Sequence, residues 1–166
     1  MASPHCQWFL TVTAAVVLLF MLLLGVIMAQ SVFINLPVAD LAASRAFYTS
    51  LGYSINENFS DETAASVVIS DTIYVMLLTH EKMAGFTALP IGDATKETQH
   101  LIALNLESQA AVDSLLTRGL AAGGTEPRPA QDYGFMYSRA LADPDGHVWE
   151  PFWMDPVAVA GGPEAS

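Results

Sequence analysis

The feature that most constrains the fold is an internal repeat in the amino-acid sequence. The segment LPVADLAASRAFYTSLG, which begins at Leu36, aligns with LNLESQAAVDSLLTRGL, which begins at Leu104, at a constant shift of 68 residues. In each copy a short apolar strand leads into a helix, for which Asp40 and Ser108 are the N-cap candidates. Two further apolar strands follow each helix, and the irregular segments have room for one more, so we predict an α+β fold of tandem βαβββ modules that form a curved mixed sheet around a shared cleft.

The repeat also divides the chain into segments. We predict a hydrophobic segment at 1–28, a domain at 29–157 and a disordered tail at 158–166. Within the domain, module one covers 31–80 and module two covers 99–155. The polar segment between them, 81–98, contains glycine and proline and is expected to be a connector.

Residues 9–28, FLTVTAAVVLLFMLLLGVIM, form a run of twenty residues without a charge. A helix of that length rises about 30 Å, which is enough to cross the hydrocarbon core of a bilayer. The sequence therefore predicts an N-terminal apolar helix, and a protein that this single transmembrane helix anchors in the membrane. Two alternatives are a signal peptide, and a true start at Met28 that would make the protein cytoplasmic.

The formal net charge is −11, from seventeen acidic and six basic residues. A surface with that charge repels phosphate groups, so we expect no nucleic acid partner. Cys6 is the only cysteine. Neither an intrachain disulfide nor a thiolate zinc cluster is therefore expected.

Two segments carry a resemblance to a known family. LPVADLAASRAFYTSLGY and DPDGHVWE, in that order and within a repeat, resemble the first strand and helix and the final hairpin of the vicinal oxygen chelate superfamily. That superfamily includes glyoxalase I, the fosfomycin and bleomycin resistance proteins and the extradiol dioxygenases. The resemblance covers about 31–155, and the end of the domain is similar to a subgroup described as predicted lactoylglutathione lyases. It implies a glyoxalase-like domain at 29–157 and a homodimer.

The resemblance also implies a position for a metal site. Family enzymes hold one divalent ion, such as zinc, nickel, manganese or iron, with up to four side chains from the first and last strands of the two modules. In this sequence those positions fall on Phe33, Met76, Leu101 and Glu150. Three of them are apolar, so the sequence predicts a degenerate metal site with Glu150 as its one remaining ligand.

Glu150 has two interpretations. If the final hairpin pairs across a four-residue turn, Arg139 faces Glu150 and Ala142 faces His147, which predicts a cross-strand ion pair between Arg139 and Glu150. In the other interpretation, the resemblance makes Glu150 the catalytic group in the cleft, as a general base or a metal ligand.

The remaining candidates would bind a ligand rather than react with it. Tyrosine and tryptophan combine an apolar body with one polar group, which suits a cleft for a small, partly apolar oxygenated molecule. The expected substrate-binding residues are Phe33, Asn35, Met76, Leu101, Tyr133, Tyr137, Arg139, Trp149, Phe152 and Trp153.

Three functions fit these features. The first is a lactoylglutathione lyase-like domain with a degenerate metal site, which binds a small molecule without a metal. The alternative is an active divalent-metal-dependent enzyme, either a glyoxalase-type carbon-sulfur lyase or a dioxygenase, that uses Glu150 as ligand or base. The third is an acidic domain that docks on a membrane protein.

Overall fold

Two modules with similar orders of elements follow one another along the chain, as the repeat predicts, although three strands follow the long helix in module one and four follow it in module two. The computed structural model describes residues 30–98 and 100–161, without the side chains of residues 160 and 161. Module one consists of β1 (Val32–Val38), α1 (Leu41–Ser50), β2 (Ser54–Asn56), a 3-10 turn (Glu57–Phe59), β3 (Ala64–Val68), β4 (Ile73–Thr79) and α2 (His80–Ala84). Module two consists of β5 (Ile102–Asn105), α3 (Gln109–Ala121), β6 (Gln131–Asp132), β7 (Met136–Ser138), β8 (Leu141–Ala142), β9 (Val148–Met154) and α4 (Pro156–Gly161).

The two long helices begin where the sequence predicts. The side chain of Asp40 accepts a hydrogen bond from the N–H of Ala43, and the side chain of Ser108 accepts one from the N–H of Ala111. Each cap satisfies an N–H group that has no partner within the helix. Gly52 follows α1 with a φ of +96°, a backbone conformation that favours glycine at a helix end.

The strands form two mixed sheets rather than the single curved sheet that we expected. The order is β1-β4-β3-β2 in module one and β5-β9-β7-β6 in module two, where β8 also pairs with β9. In both modules the first strand pairs in parallel with the last long strand. Each sheet is thereby completed within its own module, and β1 and β5 lie at the sheet edges.

One hydrophobic core joins the two modules. Along β1, Leu36 and Val38 are buried while Phe33 and Asn35 are exposed, so alternate residues face the helices and the outer side of the sheet. The core contains side chains from both modules, which are Leu36, Val38, Phe47, Tyr48, Leu51, Ala65, Val67, Val75, Leu77, Leu115, Leu116, Leu141 and Trp149. The outer faces of the sheets point away from this core.

The predictions of a transmembrane helix and of a membrane location are wrong for the part of the chain that the structure describes. Within 30–98 and 100–161 no helix combines the length and the apolar character needed to cross a bilayer. The longest of these helices, α3, has 13 residues and rises about 20 Å, less than the 30 Å of a hydrocarbon core. The run at 9–28, on which both predictions were based, lies outside the described residues.

At the other end of the domain, α4 spans Pro156–Gly161 and overlaps the start of the segment that we expected to be a disordered tail. Residues 162–166 lie outside the described residues.

Candidate functional site

The positions that the resemblance assigns to a metal lie on the outer faces of the two sheets. Phe33 is 57% exposed and stacks on Tyr74, its neighbour across β1 and β4, with ring centroids 4.8 Å apart. Met76 lies opposite Asn35 in the same pair of strands. In module two, Leu101 is exposed just before β5, and Glu150 pairs with Ala103 of β5. Each module thus carries two of the four positions expected to form the metal site. That all four side chains converge on one site stays a prediction.

Glu150 is paired with an arginine that the sequence analysis did not single out. The guanidinium of Arg128 donates to Oε1 of Glu150 at 2.7 Å, and it also lies 3.4 Å from the hydroxyl of Ser138. The side chains of Arg128 and Glu150 are 28% and 23% exposed, so the pair is only partly accessible to water. Phe152 is two residues from Glu150 on β9 and shares its face of the sheet.

The predicted ion pair between Arg139 and Glu150 is wrong, because the final hairpin pairs one residue out of the expected register. Gly146 adopts a φ of +92° and lengthens the turn, so that Ala142 pairs with Val148 rather than with His147. Since side chains alternate along a strand, a shift of one residue sends Arg139 to the face opposite Glu150.

On that opposite face, Arg139 joins two carboxylates on the helix side of the sheet. Its guanidinium donates to Glu126 through two nitrogens, at 3.0 and 2.9 Å, and to Asp113 of α3 at 2.9 Å. Tyr137 donates to the same Asp113 oxygen at 2.8 Å. The hydrogen bond from Arg139 lowers the pKa of Asp113, whereas partial burial and the bond to Asp113 raise the pKa of Tyr137. Trp153 pairs with Tyr137 across β7 and β9, so it also lies away from Glu150.

Trp149, which we expected in the ligand cleft, lies in the core. Its indole N–H donates to the hydroxyl of Tyr48 at 3.0 Å, and that hydroxyl donates to Asp143 at 2.7 Å. Burial raises the pKa of the Asp143 carboxyl, although the bond that it accepts from Tyr48 favours its charged form. Of the other expected residues, Tyr133 is 54% exposed in the turn between β6 and β7.

The DPDG turn ties module two to module one. The carboxylate of Asp145 accepts hydrogen bonds from the N–H of Ala39 at 2.8 Å and from the hydroxyl of Ser44 at 2.9 Å. The ring Nε2 of His147 lies 2.8 Å from the carbonyl oxygen of Pro37. The turn that the sequence predicts is therefore also the contact by which the second module docks on the start of α1.

Next to this contact is a cavity of about 270 Å³ that neither Glu150 nor Phe33 lines. Its walls come from the outer side of β1, from the connector and from the start of β9. Asn35 is the one residue of the expected ligand-binding set that lines it. Thr87, Ile91, Glu97, His100 and His147 are among the other residues that line it.

The residues at the expected metal position do not fit a divalent ion. Glu150 would be the only donor among the four side chains, and the guanidinium of Arg128, 2.7 Å away, already satisfies its charge and would repel a cation. Within residues 30–98 and 100–161, no three His, Cys, Asp or Glu side chains lie close enough together to hold a metal.

Sequence reasoning missed Arg128, Tyr48 and the roles of Asp143 and Asp145. A signal for Arg128 existed, because it is one of only six basic residues in a chain of net charge −11 and stands in the proline-rich loop TEPRPAQD. Tyr48 carried no such signal, since its spacing on α1 is that of an ordinary core residue.

Comparisons with known proteins agree with this architecture. Residues 30–70 match the family model for the bleomycin resistance protein-like N-terminal region. The comparison with curated protein sequences gives no significant match.

Several solved structures share the fold. A glyoxalase-related enzyme from Fulvimarina pelagi is 24% identical, with 76% of this chain and 88% of that chain covered and a TM-score of 0.65. A glyoxalase/bleomycin resistance protein/dioxygenase family enzyme from Burkholderia phytofirmans is 21% identical, with 76% and 99% covered and a TM-score of 0.62. A bleomycin resistance determinant encoded on the transposon Tn5 is 19% identical, with 76% and 99% covered and a TM-score of 0.54.

The family-model match falls on the first strand and helix, where the sequence carries LPVADLAASRAFYTSLGY, and the solved structures extend the likeness over both modules. The described domain therefore has the fold of the glyoxalase, bleomycin resistance and dioxygenase proteins, and the resemblance of the sequence to the vicinal oxygen chelate superfamily is confirmed.

Proposed function

We propose that the domain binds a small, partly apolar oxygenated molecule without the help of a metal ion. In this proposal it is a lactoylglutathione lyase-like protein whose metal site is degenerate. The observation that carries it is the pair of Arg128 and Glu150, 2.7 Å apart, at the one metal position that has kept a donor side chain. Because the guanidinium neutralises the charge of Glu150, that carboxylate holds the Arg128 side chain in place rather than a metal ion.

Exposed apolar side chains on the outer sheet faces support a binding role. Phe33 and Leu101 are each more than half exposed, and an apolar surface of this kind is typical of a site for a ligand or a partner. A second copy of the chain that covers these faces would enclose a cleft, so we propose a homodimer as well. Sedimentation velocity of the purified protein tests the dimer, and a monomer across micromolar concentrations would contradict it.

Metal analysis of the purified full-length protein tests the proposal most directly. We expect far less than one equivalent of zinc, nickel, manganese or iron per chain, because one acidic donor beside a cation makes a weak site. We also expect small molecules that raise the melting temperature to do so equally with and without a chelator. Arg128→Met is the informative variant, since it removes the competing cation and leaves Glu150 in place.

The alternative, a metal-dependent lyase or dioxygenase that uses Glu150, makes the opposite predictions. It requires about one equivalent of a divalent ion that is lost in Glu150→Gln. A lyase of this kind also requires turnover of the methylglyoxal-glutathione adduct when metal is added. About one equivalent of a divalent ion bound to the wild-type protein, or metal-dependent turnover by it, would overturn the metal-free proposal.

A further inference from the structure

The cavity beside the DPDG turn opens on the same side of β1 as Phe33 but is lined by other residues. It lies where the outer side of β1, the connector and the beginning of β9 meet. Asn35 comes from β1, Ile91 from the connector, and His147 from the residues just before β9. Phe33, Met76, Leu101 and Glu150 do not line it. A ligand in this cavity would touch both modules and the connector at once.

The connector is held in place as a wall of this cavity. Gly146 has a φ of +92°, and a Cβ there would lie 2.7 Å from the backbone of Ala94. The absence of a side chain therefore lets the connector approach the hairpin turn closely. The connector also has its own local bonds, because the Asp93 carboxylate accepts from both the N–H and the hydroxyl of Thr95.

The polar groups of the cavity favour a ligand that donates a hydrogen bond. Nε2 of His147 lies 2.8 Å from the Pro37 carbonyl oxygen, which can only accept, so Nε2 carries the proton. In the neutral ring, Nδ1 is then left as an acceptor. The ring of His100 stacks on that of His147 with centroids 6.5 Å apart and planes at 19°, which makes part of the wall flat. The side-chain amide of Asn35 adds an acceptor oxygen beside its own N–H donors.

Size and charge restrict the ligand further. A volume of about 270 Å³ lies between that of a cavity that holds benzene, about 150 Å³, and the lower end of drug-sized pockets, about 300 Å³. One or two fused rings match this volume. Glu97 lines the cavity and the chain carries a net charge of −11, so an anion would be repelled.

We infer that this junction cavity binds a flat, uncharged molecule of one or two rings that carries an N–H or O–H donor. The inference rests on the proposed function, because it assigns the small-molecule binding of the domain to this cavity and gives the ligand a chemical class. Asn35 and His147 accept the ligand's hydrogen bond, and His100 with the apolar part of the connector packs against its rings.

Three bicyclic probes and the full-length protein test the inference by isothermal titration calorimetry. Indole carries one N–H donor, indene has similar ring size without the donor, and indole-3-carboxylate adds a negative charge. We expect indole to bind about tenfold more tightly than indene, as loss of one hydrogen bond predicts, and indole-3-carboxylate to bind more weakly still. Equal or tighter binding of the carboxylate would overturn the chemical class.

Variants then locate the site. Thr87→Trp fills the cavity from the connector, and Asn35→Leu removes an acceptor, so each should weaken indole binding by about tenfold or more. Thr87→Ser is the matched control for the first, and Phe59→Ala, at an exposed position of the 3-10 turn outside the cavity, should leave indole binding within about twofold of wild type. Phe33→Ala reports separately on the outer face of the sheet. Urea unfolding of each variant confirms that it is folded before binding is measured.

The outcomes separate this inference from the proposed function. Indole binding that Thr87→Trp leaves intact and Phe33→Ala abolishes would move the ligand to the outer sheet face, which refutes the cavity and keeps the metal-free binding role. Failure of all three probes to bind also refutes the inference, while the chelator-resistant thermal-shift screen decides the proposed function independently.

Discussion

Replacement of Tyr48 by phenylalanine would disturb the buried network that links the two modules. The change removes one hydroxyl, which donates to Asp143 at 2.7 Å and accepts from the indole N–H of Trp149 at 3.0 Å. The side chain of Tyr48 has no exposed surface, and Asp143 is only 4% exposed. Water therefore cannot replace the missing hydroxyl without a rearrangement of the core.

The expected loss of stability follows from these two contacts. A hydrogen bond to a charged group contributes about 1.5–3 kcal/mol, and a buried donor left without a partner costs about 1–3 kcal/mol. The two effects share one hydroxyl and are not additive. We therefore expect Tyr48→Phe to lower the free energy of unfolding by about 2–4 kcal/mol at pH 7.

The loss should also depend on pH in a definite direction. Burial raises the pKa of Asp143 in the folded state, so the folded protein holds the proton more tightly than the unfolded chain does. The contribution of this group to stability is therefore present at low pH and is lost as the pH rises through its folded pKa. The bond from Tyr48 lowers that pKa, so its removal raises the pKa further and extends the loss over a wider range. The cost of Tyr48→Phe should thus be larger at pH 7 than near the unfolded pKa of about 3.9.

Urea unfolding followed by circular dichroism at several pH values between about 4.5 and 8 measures this difference. Tyr74→Phe is the matched control, because it removes the same atom from an exposed bond to the backbone of Asp71 and should cost about 0.5 kcal/mol or less at every pH. A cost of Tyr48→Phe that is constant with pH, or smaller at pH 7 than at low pH, would refute the reasoning.

Three further predictions concern the hairpin and the Glu150 pair. Gly146→Ala should lower the free energy of unfolding by about 1–3 kcal/mol more than Gly52→Ala. Both glycines have a left-handed φ, but only a Cβ at Gly146 would collide with backbone atoms of the connector. Equal losses of stability for the two variants in urea unfolding would contradict this. Arg128→Met and Glu150→Gln in a double-mutant cycle should show a coupling of about 0.5–1 kcal/mol that falls with salt, and zero coupling would mean that the pair does not form in solution. Asp145→Ala removes the acceptor for a backbone N–H and a hydroxyl of module one and should cost about 1–2 kcal/mol, whereas a neutral substitution would show that the turn does not hold the modules together.

The sequence by itself determined the architecture of each module. The shift of 68 residues follows from direct comparison of the two copies. The caps at Asp40 and Ser108 and the glycine turn at Gly146 are local signals, because each depends on residues a few positions apart. The same holds for the alternation that puts Leu36 in the core and Phe33 on the outer face of β1. These signals suffice for the order of the elements and for the resemblance to a known fold.

The tertiary structure alone decided which charged groups meet. One residue of register in the final hairpin exchanged Arg139 for Arg128 as the partner of Glu150, because the pairing depends on the length of the turn, which the sequence analysis took to be four residues. The junction cavity likewise depends on the approach of the connector to Gly146, a contact between segments more than fifty positions apart. Contacts of this range follow from packing of the whole domain, and for that reason the site could not be derived from the local patterns that predicted the fold.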